Sequence, residues 1–473
     1  MTRTMVGSLG AVSTVIVALA FSPTAVRAKT PPTFNQDVAP IIFKHCTECH
    51  RPNQVAPMSL LSYQDVRPWA KAIKAKVHAR EMPPWFADPR FGKFANDKSL
   101  TQAELETIEA WVDAGAPQGP GSAPPSPHFA DGGWSHPSGR PPDLIVELPI
   151  DWKIQADGEM PNFNLYQPMP LDEAKVAEAV QVLPGNYAAT HHIIVDLVNL
   201  PSGTALGTGP AWPGGPITSN VPVGGDKAKA FDNREDASAA AGMGMLGFGA
   251  YVPGGEVRAA PPGRGVLVRA DQYKYIKWNL HYQATGRPEV ARPKVGIWWQ
   301  QGKVTSVEQG GRFVTEISES KPLIARAGTK MVFFNELLAP IPPNDANWTV
   351  TGVAAIRDDV TLHGFAVHMH LRGKSMTYVV TYPDGREETL LHVPKYDFNW
   401  QRPYELAHPV KIPAGSTIKA IAVYDNSAAN RMNPAPYKEV YWSEQSWDDM
   451  FLPGARLTLD NLEKAVEAVN QDQ

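Results

Sequence analysis

Phe365-Ala-Val-His-Met-His-Leu-Arg-Gly-Lys374, followed by the run Met376-Thr-Tyr-Val-Val-Thr-Tyr382, is the stretch from which the architecture is read. The second half is built of β-branched and aromatic residues, the best strand formers. In an extended chain, side chains at i and i+2 leave the same face, so His368 and His370 point together and Met369 points away. Two imidazoles so placed can share one metal ion. Similar strand-forming runs recur on both sides: Leu144–Leu148, Ile193–Val198, Tyr275–Tyr282, Val295–Trp299, Trp348–Ile356 and Thr417–Tyr424. Pro/Gly turns separate them, and a long helical period returns only at Leu457–Val469. Such spacing predicts all-β sandwiches of jelly-roll type from residue 143 onward. About 330 residues is too many for one such core. We therefore expect two β domains, 143–310 and 311–473, with Gly/Pro-rich long loops over 201–265.

Upstream the pattern is helical. Phe34, Val38, Ile41 and Ile42 share one helical face, and Thr101-Gln-Ala-Glu104 reads as a capping box before Leu105, Ile108, Trp111 and Val112. Residues 117–142 hold eight prolines and read as an extended, semi-rigid linker. Residues 4–26 carry no charge, and Leu9–Phe21 is apolar between Arg3 and the small residues Val26 and Ala28. That is the pattern of a signal peptide, 1–28, and predicts an exported chain, periplasmic or secreted, with no integral membrane segment after its removal.

The helical segment contains Cys46-Thr-Glu-Cys49-His50, and these two cysteines are the only ones in 473 residues. A disulfide framework is thereby excluded, and a blue-copper site, which needs its own thiolate, nearly so. The spacing is that of c-type haem attachment: two thiols bond the haem vinyls and the adjacent imidazole reaches the iron. One covalent haem c is expected. Met82, in Arg80-Glu-Met-Pro-Pro-Trp85, is the favoured sixth ligand and Met58 its rival. Residues 31–116 thus resemble the small class-I-like cytochrome c domains of exported multidomain proteins. The expected fold class is multidomain: a small all-α cytochrome c domain followed by two all-β, jelly-roll-like sandwich domains.

Two further histidine motifs lie in strand runs, Thr190-His191-His192-Ile193 and Asn279-Leu-His281-Tyr-Gln283. Adjacent histidines point opposite ways in a regular strand, so His191 and His192 can chelate together only at a strand end or bulge. His281 can complete that set. Imidazoles suit copper, zinc, iron or nickel. Charge points away from nucleic acid: 48 acidic residues against 44 basic give a net charge of −4, with no basic excess to hold a phosphate backbone.

The order HH, LHY, HMHLRGK, then Asp448-Asp449-Met450, resembles the type II copper, ascorbate-dependent monooxygenases, which include peptidylglycine α-hydroxylating monooxygenase and dopamine β-monooxygenase. The resemblance spans roughly residues 143–460. It implies two copper ions. His191, His192 and His281 would hold an electron-storing copper. His368, His370 and Met450 would hold the copper at which O2 reacts with a C–H bond of a small-molecule substrate, and Met432 is the rival thioether. Electrons would come from an ascorbate-like donor or another redox protein, and the fused haem could pass them to copper. The departures are Ala366 where the peptide-hydroxylating enzymes carry an arginine, Leu452 and Gly454 where they carry Asn and Tyr, and the missing disulfides. A glycine-extended peptide substrate is therefore not implied. The alternative function is a non-catalytic haem–copper electron-transfer or copper-binding protein.

Overall fold

The computed structural model describes residues 30–129, 133–199, 244–316 and 338–459, apart from positions 159, 161, 254, 256, 258, 271, 312, 313 and 443–445, and residue 463 besides. The expected signal peptide and most of the 201–265 loops lie outside the described residues. Of the helical period at 457–469, the first residues are strand and nearly all the rest is likewise outside.

The chain is mostly β. Among the described residues, ten strands precede residue 300: β1 (Leu144–Glu147), β2 (Trp152–Ile154), β3 (Phe163–Pro168), β4 (Lys175–Leu183), β5 (Thr190–Asn199), β6 (Gly244–Tyr251), β7 (Val266–Val268), β8 (Tyr275–Tyr282), β9 (Glu289–Ala291) and β10 (Lys294–Trp299). Nine follow: β11 (Val307–Gly311), β12 (Val314–Glu316), β13 (Trp348–Ala355), β14 (Val360–Ala366), β15 (Gly373–Thr381), β16 (Glu387–Val393), β17 (Pro403–Ile412), β18 (Thr417–Tyr424) and β19 (Gly454–Leu459). They form antiparallel sheets in the orders β1-β10-β4-β7, β3-β8-β5-β6, β11-β19-β14-β17 and β12-β13-β18-β15-β16, with β2-β9 as a separate pair. One apolar core, with Trp278, Leu165, Ile193 and Ile297, gathers the first two large sheets. Another, with Leu362, Tyr378, Ile418 and Leu457, gathers the last two. Strand β18 shows the expected alternation of buried and half-buried residues, whereas β5 and β8 are buried almost throughout. These two central strands carry His191, His192 and His281.

Helices are short: α1 (Ala39–His45), α2 (Tyr63–Val66), α3 (Ala70–His78) and α4 (Gln102–Asp113), packed around Phe34, Ile42, Ile108 and Trp111. Thr101 and Glu104 form the expected capping box. The expected class, an all-α cytochrome c domain followed by two jelly-roll-like sandwiches, is nevertheless corrected. The molecule is mostly β with four sheets of four or five strands, and no separate all-α domain spans 31–116. Between α3 and α4 the chain leaves the helical cluster and joins the C-terminal β unit. Trp85 is buried in that unit's core, its ring 5.0 Å from Tyr404 and 5.9 Å from Phe94. Phe94 bridges Leu406, and the Ala95 N–H donates to the Glu405 carbonyl at 2.7 Å. The cause is local chemistry. Pro83 and Pro84 cannot continue a helix, and the aromatic residues after them need more apolar cover than a few short helices provide.

Candidate metal centres and haem-attachment turn

Strands β5 and β8 pair so that His192 lies opposite His281, while the register slips between Thr190 and His192. His191 is the extra residue of that bulge. The bulge turns its ring to the side of its neighbour, which a regular strand forbids. The three rings converge, with centroids 4.8 Å apart for His191 and His281, 4.9 Å for His192 and His281, and 5.3 Å for the adjacent pair. One ring nitrogen from each lies within 4.8 Å of the others.

The protonation pattern suits metal binding. Asn279 donates its amide N–H to Asn164 Oδ1 at 2.8 Å, so its own Oδ1 accepts from His192 Nε2 at 3.2 Å. That leaves His192 Nδ1 as an acceptor, its lone pair 3.1 Å from His191 Nδ1. His191 Nε2 and His281 Nδ1 are buried with no hydrogen-bond partner of normal geometry. Burial lowers the His191 pKa to about 4 and holds His192 and His281 well below the usual imidazole value, so all three are neutral ligands at pH 7. A bound cation would satisfy nitrogens that the protein leaves orphaned.

His368 and His370 follow the end of β14 instead of lying within a strand. Their backbone polar groups are met by side chains. Asp449 Oδ1 accepts from the His370 N–H at 2.9 Å and from the Met450 N–H at 2.9 Å, and its Oδ2 accepts from the Arg372 N–H at 3.0 Å. The Tyr396 hydroxyl donates to the Met369 carbonyl at 2.7 Å. The Leu452 N–H donates to the His368 carbonyl at 3.2 Å, so the segment bearing Met450 runs beside the His-Met-His segment. The two rings stand 5.1 Å apart, nearly perpendicular. His368 Nδ1 donates to Gln401 Oε1 at 2.6 Å, leaving Nε2 free, and His370 Nδ1 is buried without a partner. Burial brings the His368 pKa down to about 4. Met450 is buried, Met369 is fully buried in the apolar core, and Met432, the rival thioether, is 46% exposed.

One ring stands between the two clusters. Phe398 stacks on His191 at 4.4 Å and meets His370 edge-on at 5.6 Å. One histidine of each cluster thus touches the same phenyl group.

No family model and no curated protein matches this chain. Among solved structures, an allantoicase shows 9% identity over 58% of this chain and 80% of its own, with a TM-score of 0.15. A Paenibacillus xanthan lyase shows 11% identity over 72% of this chain and 27% of its own, with a TM-score of 0.14. At these scores neither likeness bears on the fold or the sites.

At the N-terminal turn, the Cys46 carbonyl accepts from the Cys49 N–H at 3.2 Å and the His50 N–H at 2.9 Å, folding both thiols and the imidazole onto one turn after α1. Both cysteines are free, and burial pushes the Cys46 thiol up to about 12. His50 Nδ1 donates to the Met58 carbonyl at 3.2 Å, which orients the ring and leaves the Nε2 lone pair available. That bond holds the Met58 backbone beside the imidazole. Met82 is half-buried after α3.

Sequence reasoning assigned no role to Asn164, Asn279, Gln401, Phe398, Tyr396 or Asp449. Asn279 had a signal, being two residues before His281 on the same strand face. Phe398 and Gln401 had none, because they lie in a loop without period.

Among the described residues, no helix is long and apolar enough to cross a membrane.

Proposed function

We propose that the chain is an exported copper-dependent monooxygenase that hydroxylates a C–H bond of a small substrate with O2, with a c-type haem attached at Cys46 and Cys49. What carries this reading is the pair of unlike imidazole clusters that both touch Phe398: three histidines in one, and two histidines beside the Met450 segment in the other. A plain carrier has no need of such inequality. Copper at the two clusters and haem at the turn would supply one-electron exchange and dioxygen activation, chemistry that no side chain provides.

The chain's own residues prepare those sites. Burial keeps the imidazoles neutral and their lone pairs available. Asn279 and Gln401 choose the ring nitrogen that faces the ligand position. Asp449 and Tyr396 hold the His-Met-His backbone in a shape that no sheet supports. The Met450 thioether would favour the cuprous state. The donor is an ascorbate-like reductant or a redox protein.

The test is a product screen under labelled dioxygen with copper-loaded protein and reductant. The expected result is one labelled oxygen atom in an alcohol, absent from His370→Ala. Reductant oxidation with no labelled product in any fraction would contradict the enzyme and favour a haem–copper electron carrier.

A further inference from the structure

Arg402 sits immediately before β17, at the end of the loop that carries Phe398 and Gln401. Its side chain is buried, at 6% exposure, and its Nε has no hydrogen-bond partner. A buried, unpaired guanidinium is costly, and proteins keep one where an anion comes to meet it. Nearby carboxylates are engaged elsewhere: Glu405 pairs with Arg456, and Glu48 with Lys98 at 3.3 Å.

The chain around Arg402 is tied to the Cys46–His50 turn. Asn96 Nδ2 donates to the Pro403 carbonyl at 2.9 Å, and Asn96 Oδ1 accepts from the Glu405 N–H at 3.0 Å. Two residues later, Lys98 holds Glu48 within the turn, and its carbonyl contacts His45 Nδ1 at 3.1 Å. Residues 96–98 therefore staple the start of β17 to the cysteine turn. The Arg402 guanidinium lies close enough to Cys49 for its charge to act on that sulfur.

We propose that Arg402 receives a carboxylate, that of a haem propionate attached through the Cys46–His50 turn, and so ties that group to the loop touching both histidine clusters. This rests on the haem reading given above. A carboxylate could also come from a free acid bound beside the haem, and the experiment separates the two sources.

The holoprotein, Arg402→Gln and Arg402→Lys are compared for covalent haem content and for haem midpoint potential as a function of pH in carboxylate-free buffer. Acetate binding is measured by calorimetry in parallel. One haem per chain in all three proteins is expected. Arg402→Gln should show a lower potential, because an unneutralised propionate favours ferric iron. The expected size is about a tenfold shift in the reduction equilibrium, ~59 mV for one electron. The potential should also gain a pH dependence as the freed carboxylate titrates, and Arg402→Lys should retain most of the wild-type value. An unchanged potential and pH profile in fully loaded Arg402→Gln overturns the proposal. So does acetate binding that is lost in Arg402→Gln while the potential stays fixed. Should Arg402→Gln fail to load, a wild-type potential that stays flat with pH while Arg402→Lys gains a weak pH step supports the contact, and the same pH step in both wild type and Arg402→Lys refutes it. Absence of covalent haem from the wild-type protein would instead overturn the haem reading itself.

Discussion

Gln401 accepts the Nδ1 proton of His368 and thereby decides which nitrogen of that ring is free. Such outer partners typically contribute 10–100-fold to metal affinity. Gln401→Leu should weaken copper binding at the His368–His370 site by about that factor while the three-histidine site keeps its copper, as read by chelator competition. Asp449 is the second decisive residue. Burial pushes its carboxyl up to about 6, against the pull of three backbone N–H groups and Arg372. Asn at 449 would aim an amide N–H at a backbone donor. Asp449→Asn should therefore cost about 1–3 kcal/mol in denaturant unfolding and loosen the His-Met-His segment. Of these residue-scale features the sequence displayed the histidines plainly. Gln401 was hidden, and Asp449 showed only as the neighbour of Met450, because the two come close to the site only through folds of the chain some 30 and 80 residues long.

Strand placement was legible because the apolar alternation of β13 and β18 is the direct imprint of a one-sided core. The bulge at His191 was legible only as a condition, since adjacent histidines can chelate together nowhere else along a strand. Helix α4 was legible from its cap, and its cap also makes a pH prediction. Burial alone would raise the Glu104 carboxyl, but its bonds to the Thr101 backbone and hydroxyl, His45 and Lys44 outweigh burial and bring the pKa down to about 2. A depressed carboxylate contributes stability that is fully present above its unfolded value near 4.5 and is lost as pH falls through about 2. Acid titration followed by helical circular dichroism should show this loss. Glu104→Gln should flatten the slope in that window and cost about 1 kcal/mol at neutral pH.

At the scale of the whole molecule, the N-terminal helices and the C-terminal sheets share residues 85–96, a union no local pattern announces. Trp85 reads as the tail of a proline loop, yet its ring fills a core built more than 200 residues away. Trp85→Ala should destabilise the C-terminal β unit by about 3–5 kcal/mol, with the helical cluster around Trp111 little changed, as followed by site-resolved hydrogen exchange. The same docking brings the cysteine turn, the Phe398–Arg402 loop and both histidine clusters into one neighbourhood. The most direct measurement is the copper content of wild-type protein, His191→Ala and His370→Ala after loading and removal of loosely held metal. Two copper ions per chain in the wild type and one in each variant, with distinct spectra for the ion that remains, is the predicted result. A single ion in the wild type, or loss of all copper from both variants, would contradict the two-centre account.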